Sequence, residues 1–255
     1  MKVVLLAGGF GTRLSERTGL IPKPMVEIGG RPMLWHIMKL YSYHGFDDFI
    51  IALGYKGDAI KDYFLNYKAR QSDCTVNLST GHVDYHNDDL EESWKVTLVD
   101  TGENTMTGGR IRRLREHLDD TFMLTYGDGI SDIHIGELVE FHNNSNTKAT
   151  VTAVHPKAHY GELDLEGNNV IRFMEKPDFR MSWINGGFMV LEPSVFDLIE
   201  GDEAMFEREP LEQLSVNRQL SAYCHEGFWQ CMDTLRDVNY LNDLWDSGDP
   251  PWRIW

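Results

Sequence analysis

Runs of apolar residues alternate with amphipathic stretches along the first half of the chain. Lys2 to Ala7 holds two adjacent valines and two adjacent leucines, the pattern of a short strand buried on both faces. Phe49 to Leu53 and Phe122 to Tyr126 repeat it, and Trp94 to Asp100 alternates as a further strand. Arg31 to Leu40 reads as a helix with Pro32 in its first turn and Gly45 near its end. Ile60, Tyr63, Phe64 and Tyr67 recur at i, i+3, i+4, i+7 on one face of another helix, for which Asp58 is a plausible N-cap. Basic residues from Arg110 to His117 suggest a third helix. Strands separated by helices of this length predict a parallel sheet with crossover connections.

The second half mixes signals. Residues 136–142 read as a short helix and Lys148 to Val154 as a strand. Leu163 to Leu165 and Val170 to Phe173 flank the turn Glu166-Gly167-Asn168-Asn169, which predicts a hairpin. Pro193 to Ile199 and Pro210 to Leu214 are short helices, Phe228 to Gln230 is a strand end, and Leu235, Leu241 and Leu244 mark a last helix. The aromatic tail, residues 250–255, packs on its own domain or on a subunit neighbour. Residues 71–94 are polar and acidic. His82 and His86 would share a helix face there, but no apolar period supports a helix. A solvated loop or strand pair is the simpler reading.

Chemistry first enters at the turn after the opening strand. Gly8, Gly9 and Gly11 leave backbone N–H groups open to close approach, which suits phosphate oxygens. Thr12 adds a hydroxyl and Arg13 a permanent cation, while Pro22 and Pro24 stiffen the segment that carries Lys23. Two familiar phosphate motifs fail here. The P-loop needs a glycine where Arg13 stands, and the dinucleotide fingerprint needs one where Leu14 stands. A tight structural turn remains the plain alternative.

Two more polar loops follow strand ends, the edge at which open α/β sheets bind ligands. Thr101 to Gly109 holds three glycines and several hydroxyls, and serves either as a ligand loop or as a cap for the basic helix. Asp128 lies between Gly127 and Gly129, well placed for a hard cation beside phosphates, although such an aspartate is often only a turn residue. Asp233 lies just beyond another strand end and could share one magnesium ion with Asp128.

At 255 residues the chain is long enough for one large domain, and its 25% charged and 42% hydrophobic residues are ordinary for a globular protein. The net charge of -16 argues against a nucleic-acid footprint and requires local cations wherever an anion binds. Cys74, Cys224 and Cys231 have no metal or disulfide spacing, so reduced, buried thiols in a cytoplasmic protein are expected. The apolar opening run is too short for a signal core or a membrane span.

Leu6-Ala7-Gly8-Gly9-Phe10-Gly11-Thr12-Arg13-Leu14 with Pro22-Lys23-Pro24 resembles the signature of the sugar-1-phosphate nucleotidylyltransferases. Gly54 to Gly57, Asp100 to Gly102, Met106 to Arg110, Thr125 to Gly129, Ile184 to Phe188, Gly227 to Gln230 and Met232 to Thr234 extend the likeness over nearly the whole chain. It is strongest to the family's glucose-1-phosphate cytidylyltransferase branch. The resemblance implies a doubly wound, mostly parallel mixed α/β sheet of the Rossmann-like nucleotidyltransferase type. A small β-rich sugar-binding part completes it. It also implies one domain over 1–255, with residues 1–135 mainly nucleotide-binding and 136–255 mainly sugar-phosphate-binding.

The implied reaction is nucleotidyl transfer from CTP to glucose 1-phosphate with Mg2+, giving CDP-glucose and pyrophosphate. Leu6 to Arg13, Lys23, Thr105, Arg110 and Asp128 are then nucleotide-binding, with Thr105 and Arg110 reading the base. Arg13, Lys23, Asp128 and Asp233 carry catalysis. Gly161, Glu175, Lys176 and Asn185 hold the sugar phosphate, though Lys176 by itself is equally an exposed lysine before a turn. Family members are commonly oligomeric, and the 71–94 segment and the aromatic tail are candidate interfaces. Three positions depart from the resembled pattern: Ile21 where a basic residue is expected, Cys231 where a proline is usual, and Tyr160-Gly161-Glu162 where small residues are expected. Two other classes fit the sequence less well. A non-catalytic nucleotide-sugar-binding subunit would be expected to lack Arg13, Lys23 or an aspartate, and all are present. A glycosyltransferase usually carries Asp-x-Asp after a strand, which Asp128-Gly129-Ile130 does not provide.

Overall fold

The computed structural model describes residues 1–14, 21–86, 92–156, 161–175 and 182–255, apart from the side chains of Arg13 and Glu162. Strand β1 (Val3–Leu6) is buried along its whole length because a core covers each face. Val3 and Leu5 point into one core, and Val4 and Leu6 into the other, as the two-residue period of a strand requires. The strands β2 (Asp48–Leu53), β3 (Lys95–Asp100) and β4 (Phe122–Tyr126) run parallel to it. With β5 (Ala149–Val154), β6 (Ile184–Leu191) and β7 (Leu220–His225) they form a seven-stranded sheet in the order β7-β5-β6-β4-β1-β2-β3. Strand β6 alone is antiparallel to its neighbours, inserted between β4 and β5.

Helices cover both faces. Helices α1 (Met33–Tyr43), α2 (Gly57–Leu65), α5 (Ile135–Ser145) and α7 (Leu235–Asp246) build the core that takes Val3 and Leu5. Between α2 and α5 in the chain lie the short α3 (Tyr67–Gln71) and then α4 (Thr107–Arg113). Helices α4 and α6 (Glu209–Val216) supply Ile111, Leu211 and Leu214 to the opposite core. The sheet is therefore doubly wound, and its carboxyl edge gathers the loops after β1 to β4 with the start of β6.

Several boundaries differ from the sequence reading. Pro32 is the N-cap of α1 rather than part of its first turn, because Arg31–Pro32 pairs with Glu27–Ile28. Lys56, at a φ of 52°, is the N-cap of α2, and Asp58 lies in the first turn. Helix α4 starts at Thr107, before the basic run. Its two glycines are there for packing: a Cβ on Gly109 would lie 2.5 Å from Asp202 Cα, and one on Gly108 2.8 Å from the Ala204 carbonyl.

The 71–94 segment forms the strand pair Cys74–Asn77 with His82–Tyr85, and residues 87–91 lie outside the described ones. His82 bonds Asp84 and His86 bonds Thr75, so the two histidines do not converge. The expected burial of the thiols does not hold: Cys74 and Cys224 are exposed and Cys231 is half-buried. The tail packs on its own chain. Trp252 is 1% exposed, stacked on Phe228 and Trp245, with its indole N–H donating to His36 Nδ1 at 3.4 Å. Among the described residues, no helix is long and apolar enough to cross a membrane.

Candidate active site

A cavity of about 670 Å³ opens at the carboxyl edge of the sheet. Leu6 to Thr12 form one wall, Glu103 to Thr107 with Arg110 another, and Thr125 to Gly129 the floor. Asn185 and Gly186 from the start of β6 close it, with Glu207, Trp229, Cys231 and Asp233. Three chain regions far apart in sequence meet at one charge cluster here. Lys23 Nζ donates to Asp128 Oδ2 at 2.5 Å and to Asp233 Oδ1 at 2.7 Å.

Local structure explains how that cluster is held. Pro22 sits at φ -68° and ψ 149°, feeding the short 3-10 turn Lys23–Met25 with Pro24 inside it. The Pro24 ring lies against Gly127, where a Cβ would come within 2.8 Å of Pro24 Cγ. Glycine at 127 thus lets the lysine segment press on the turn that carries Asp128. Asp233 follows the two-stranded ladder of Trp229–Cys231 with Gly129–Ser131, and Met232 N–H donates to the Asp128 carbonyl at 2.8 Å. Thr234 and Asp237 form a capping box for α7, and Asp237 Oδ2 also accepts the Asp233 N–H at 3.1 Å. Asp237 was missed by the sequence reading, although Thr234-x-x-Asp237 ahead of an amphipathic run signals such a cap.

Burial opposes the charge on Lys23, but the Asp128 and Asp233 carboxylates outweigh it and raise its pKa. Two carboxylate oxygens converging on one cation are the donor set a hard divalent ion takes, together with phosphate and water oxygens. The residues present therefore fit a divalent ion at this point. Cys231 Sγ lies in the same group, its ligand atom and those of the two aspartates all within 4.8 Å of one another. Burial first, and the Asp128 carboxylate next, push its thiol far up, so the sulfur is neutral in the protein as it stands.

Arg110 is 4% exposed and its guanidinium acts as a brace. Nη1 donates to the Leu53 carbonyl, the Thr101 hydroxyl and the Gly102 carbonyl at 3.0, 2.9 and 2.6 Å. Nη2 donates to the carbonyls of Gly8 at 2.9 Å and Glu103 at 3.0 Å. It ties the glycine-rich turn to the 101–105 loop. The close approach at Gly8 is to this side chain: a Cβ there would lie 2.2 Å from Arg110 Nη1, and one on Gly54 2.3 Å. Gly11 is needed for its φ of 60°. Thr105, 8% exposed, is packed so that Cβ atoms on Gly102 and Gly109 would each meet it at 2.7 Å.

Glu207 was not foreseen. It accepts from Tyr126 Oη at 2.6 Å and from Thr107 Oγ1 at 2.5 Å, and Asn185 donates to the same tyrosine hydroxyl. Burial and then the Glu207 carboxylate raise the Tyr126 pKa, keeping it a donor. No sequence motif marks Glu207, since it reaches the cavity from an irregular segment. Of the remaining predicted residues, Phe10 lines the mouth, its ring 5.2 Å from Tyr55. Arg13 lies in the turn Thr12–Leu14, its side chain outside the described residues. Gly161 and Glu175 are neighbours at the open end of the hairpin Glu162–Glu166 with Asn169–Met174, and neither lines the cavity. Lys176 lies outside the described residues.

Residues 2–248 match the family model described as "Nucleotidyl transferase". The chain belongs to the nucleotidyl transferase family. It is 52% identical, over the full length of both chains, to the glucose-1-phosphate cytidylyltransferase of Salmonella typhi. It is 44% identical, again over both full lengths, to a probable glucose-1-phosphate cytidylyltransferase of Bacillus subtilis. Among solved structures, HddC from Yersinia pseudotuberculosis superposes with a TM-score of 0.69 at 24% identity, covering 96% of this chain and 99% of that one. That likeness supports the fold, and the family assignment rests on the sequence matches.

Proposed function

We propose that this family member transfers a cytidylyl group from CTP to α-D-glucose 1-phosphate, giving CDP-glucose and pyrophosphate. The observation that carries the reading is the convergence of Lys23, Asp128 and Asp233 below the glycine-rich turn. It occurs in a chain 52% identical throughout to a glucose-1-phosphate cytidylyltransferase. The reaction is an in-line attack by a sugar-phosphate oxygen on the α-phosphorus. Both reactants are anionic, so the protein's task is to hold them together and offset their repulsion.

Asp128 and Asp233 would hold the magnesium ion, which neutralises phosphate charge when bound. Lys23, exchanging carboxylate for phosphate oxygens, steadies the α-phosphate and the incoming phosphate. Arg13 suits the pyrophosphate through its two-point fork. Thr105 faces the base, and Arg110 sets the loop around it. Asn185, held by Gly187 N–H and Tyr126, is placed for sugar hydroxyls, with Gly161, Glu175 and Lys176 completing the sugar-phosphate side. Residues 1–135 thus serve mainly the nucleotide and 136–255 mainly the sugar phosphate, within one cytoplasmic domain. Oligomer formation is supported by the hairpin at 162–174, which leaves Leu165, Ile171 and Phe173 about 60% exposed.

The test is pyrophosphate release with magnesium and glucose 1-phosphate, offering CTP, UTP, dTTP, ATP and GTP separately. A strong preference for CTP is expected. Preference for another triphosphate would keep the reaction class and overturn the substrate, and release with none would overturn the reaction.

A further inference from the structure

Cys231 is the last residue of a short ladder, and Asp233 follows it two residues on. Cys231 is paired with Gly129, which puts it beside Asp128 across the ladder. The outcome is a sulfur and two carboxylate oxygens around one point. That point already attracts a cation, since the Lys23 ammonium bridges both aspartates. Sulfur adds little for magnesium, which prefers oxygen donors, but it favours thiophilic ions of the zinc type. We infer that Asp128, Cys231 and Asp233 together form a mixed thiolate–carboxylate site that binds a thiophilic divalent cation, Zn2+ or Cd2+, in competition with magnesium.

The geometry is close to what such an ion needs. With bonds of about 2.3 Å to sulfur and about 2.0–2.2 Å to oxygen, the ligand atoms of a tetrahedral ion lie roughly 3.5 Å apart. Here they lie within 4.8 Å of one another, so they must draw together by roughly 1 Å to reach bonding distance. As the sulfur–metal bond forms, the thiol proton passes to the buffer. Lys23 keeps its protons and turns into the cavity, which it already lines. A water or a phosphate oxygen completes the fourth position. The inference shares its two aspartates with the proposed catalytic ion, but its readout does not depend on turnover.

The experiment uses the full chain carrying Cys74→Ser and Cys224→Ser, which removes the two exposed thiols. Cadmium alone is titrated while the sulfur-to-cadmium charge-transfer absorption is followed. The expected result is a band that saturates at one equivalent and is driven out by excess magnesium. Adding Cys231→Ala should abolish the band and weaken cadmium binding by about 10- to 100-fold or more, the loss that even outer-shell changes cause. Adding Cys231→Ser instead, a near-isosteric change, should also lose the band, and its melting curve checks that folding is retained. Absence of the band with Cys231 present would overturn the inference. So would a band indifferent to magnesium, since the sulfur would then be acting apart from the aspartates. A band in a protein that releases no pyrophosphate would leave this inference standing and sink the proposed reaction; turnover without a band would do the reverse.

Discussion

Arg110 was expected from resemblance to read the base, and the structure makes it a brace, so replacing it with lysine separates the two roles. Arg110→Lys keeps the charge but not the fork. The four N–H groups on Nη1 and Nη2 serve five acceptors, and an ammonium has three N–H donors, so at least one donor is lost. A lost bond to a charged group costs about 1.5–3 kcal/mol. The Gly102 and Glu103 carbonyls are only partly buried and water can replace their donor, which keeps the expectation at about 2–3 kcal/mol. For a chain of this size that is a fall in melting temperature of about 4–12 °C. Thermal unfolding reads it directly, and KM for the triphosphate should rise as the 101–105 loop loses its anchor. Gly8→Ala should reproduce both effects, because its Cβ would displace the same guanidinium. An Arg110→Lys protein with an unchanged melting temperature but an altered choice of triphosphate would refute the brace and restore direct base reading.

Asp128→Asn should leave the fold intact and reduce turnover by about 100- to 1000-fold; near-wild-type pyrophosphate release would remove Asp128 from the mechanism. His36 is fully buried, its Nε2–H donating to the Ile28 carbonyl, and burial, followed by the Arg31 and Arg253 cations, lowers its pKa from 6.5 to about 4. The unfolded chain therefore binds this proton first. The His36 contribution to stability should be flat above pH 6.5 and fall as the pH drops from 6.5 toward 4, by about 3 kcal/mol. Denaturant titrations at several pH values should show that fall, and His36→Gln should remove this share of it; an identical pH profile in the variant would exclude His36. Trp252→Ala should cost about 3–5 kcal/mol, read as a lower denaturant midpoint. An unchanged midpoint would mean that the tail adds nothing to the folded chain.

What the amino-acid order determined by itself is local. The two-sided apolar runs of Val3 to Leu6, Phe49 to Leu53 and Phe122 to Tyr126 are buried strands because no polar face interrupts them. The glycine-rich turn and the proline-flanked Lys23 were legible as a candidate anion site because their backbone preferences are intrinsic to those residue types. Tertiary structure alone decided the rest. Nothing in the local pattern says that β6 enters antiparallel between β4 and β5, since strand pairing is set by long-range register. Lys23 lies 105 residues from Asp128 and 210 from Asp233, so their meeting depends on where three connections return to the sheet edge. The same holds for Glu207 against Tyr126 and for Arg110 against Gly8, contacts 81 and 102 residues apart in the chain. Such contacts carry no periodic signal, because each depends on a single side chain reaching across elements whose mutual placement only the packed core defines.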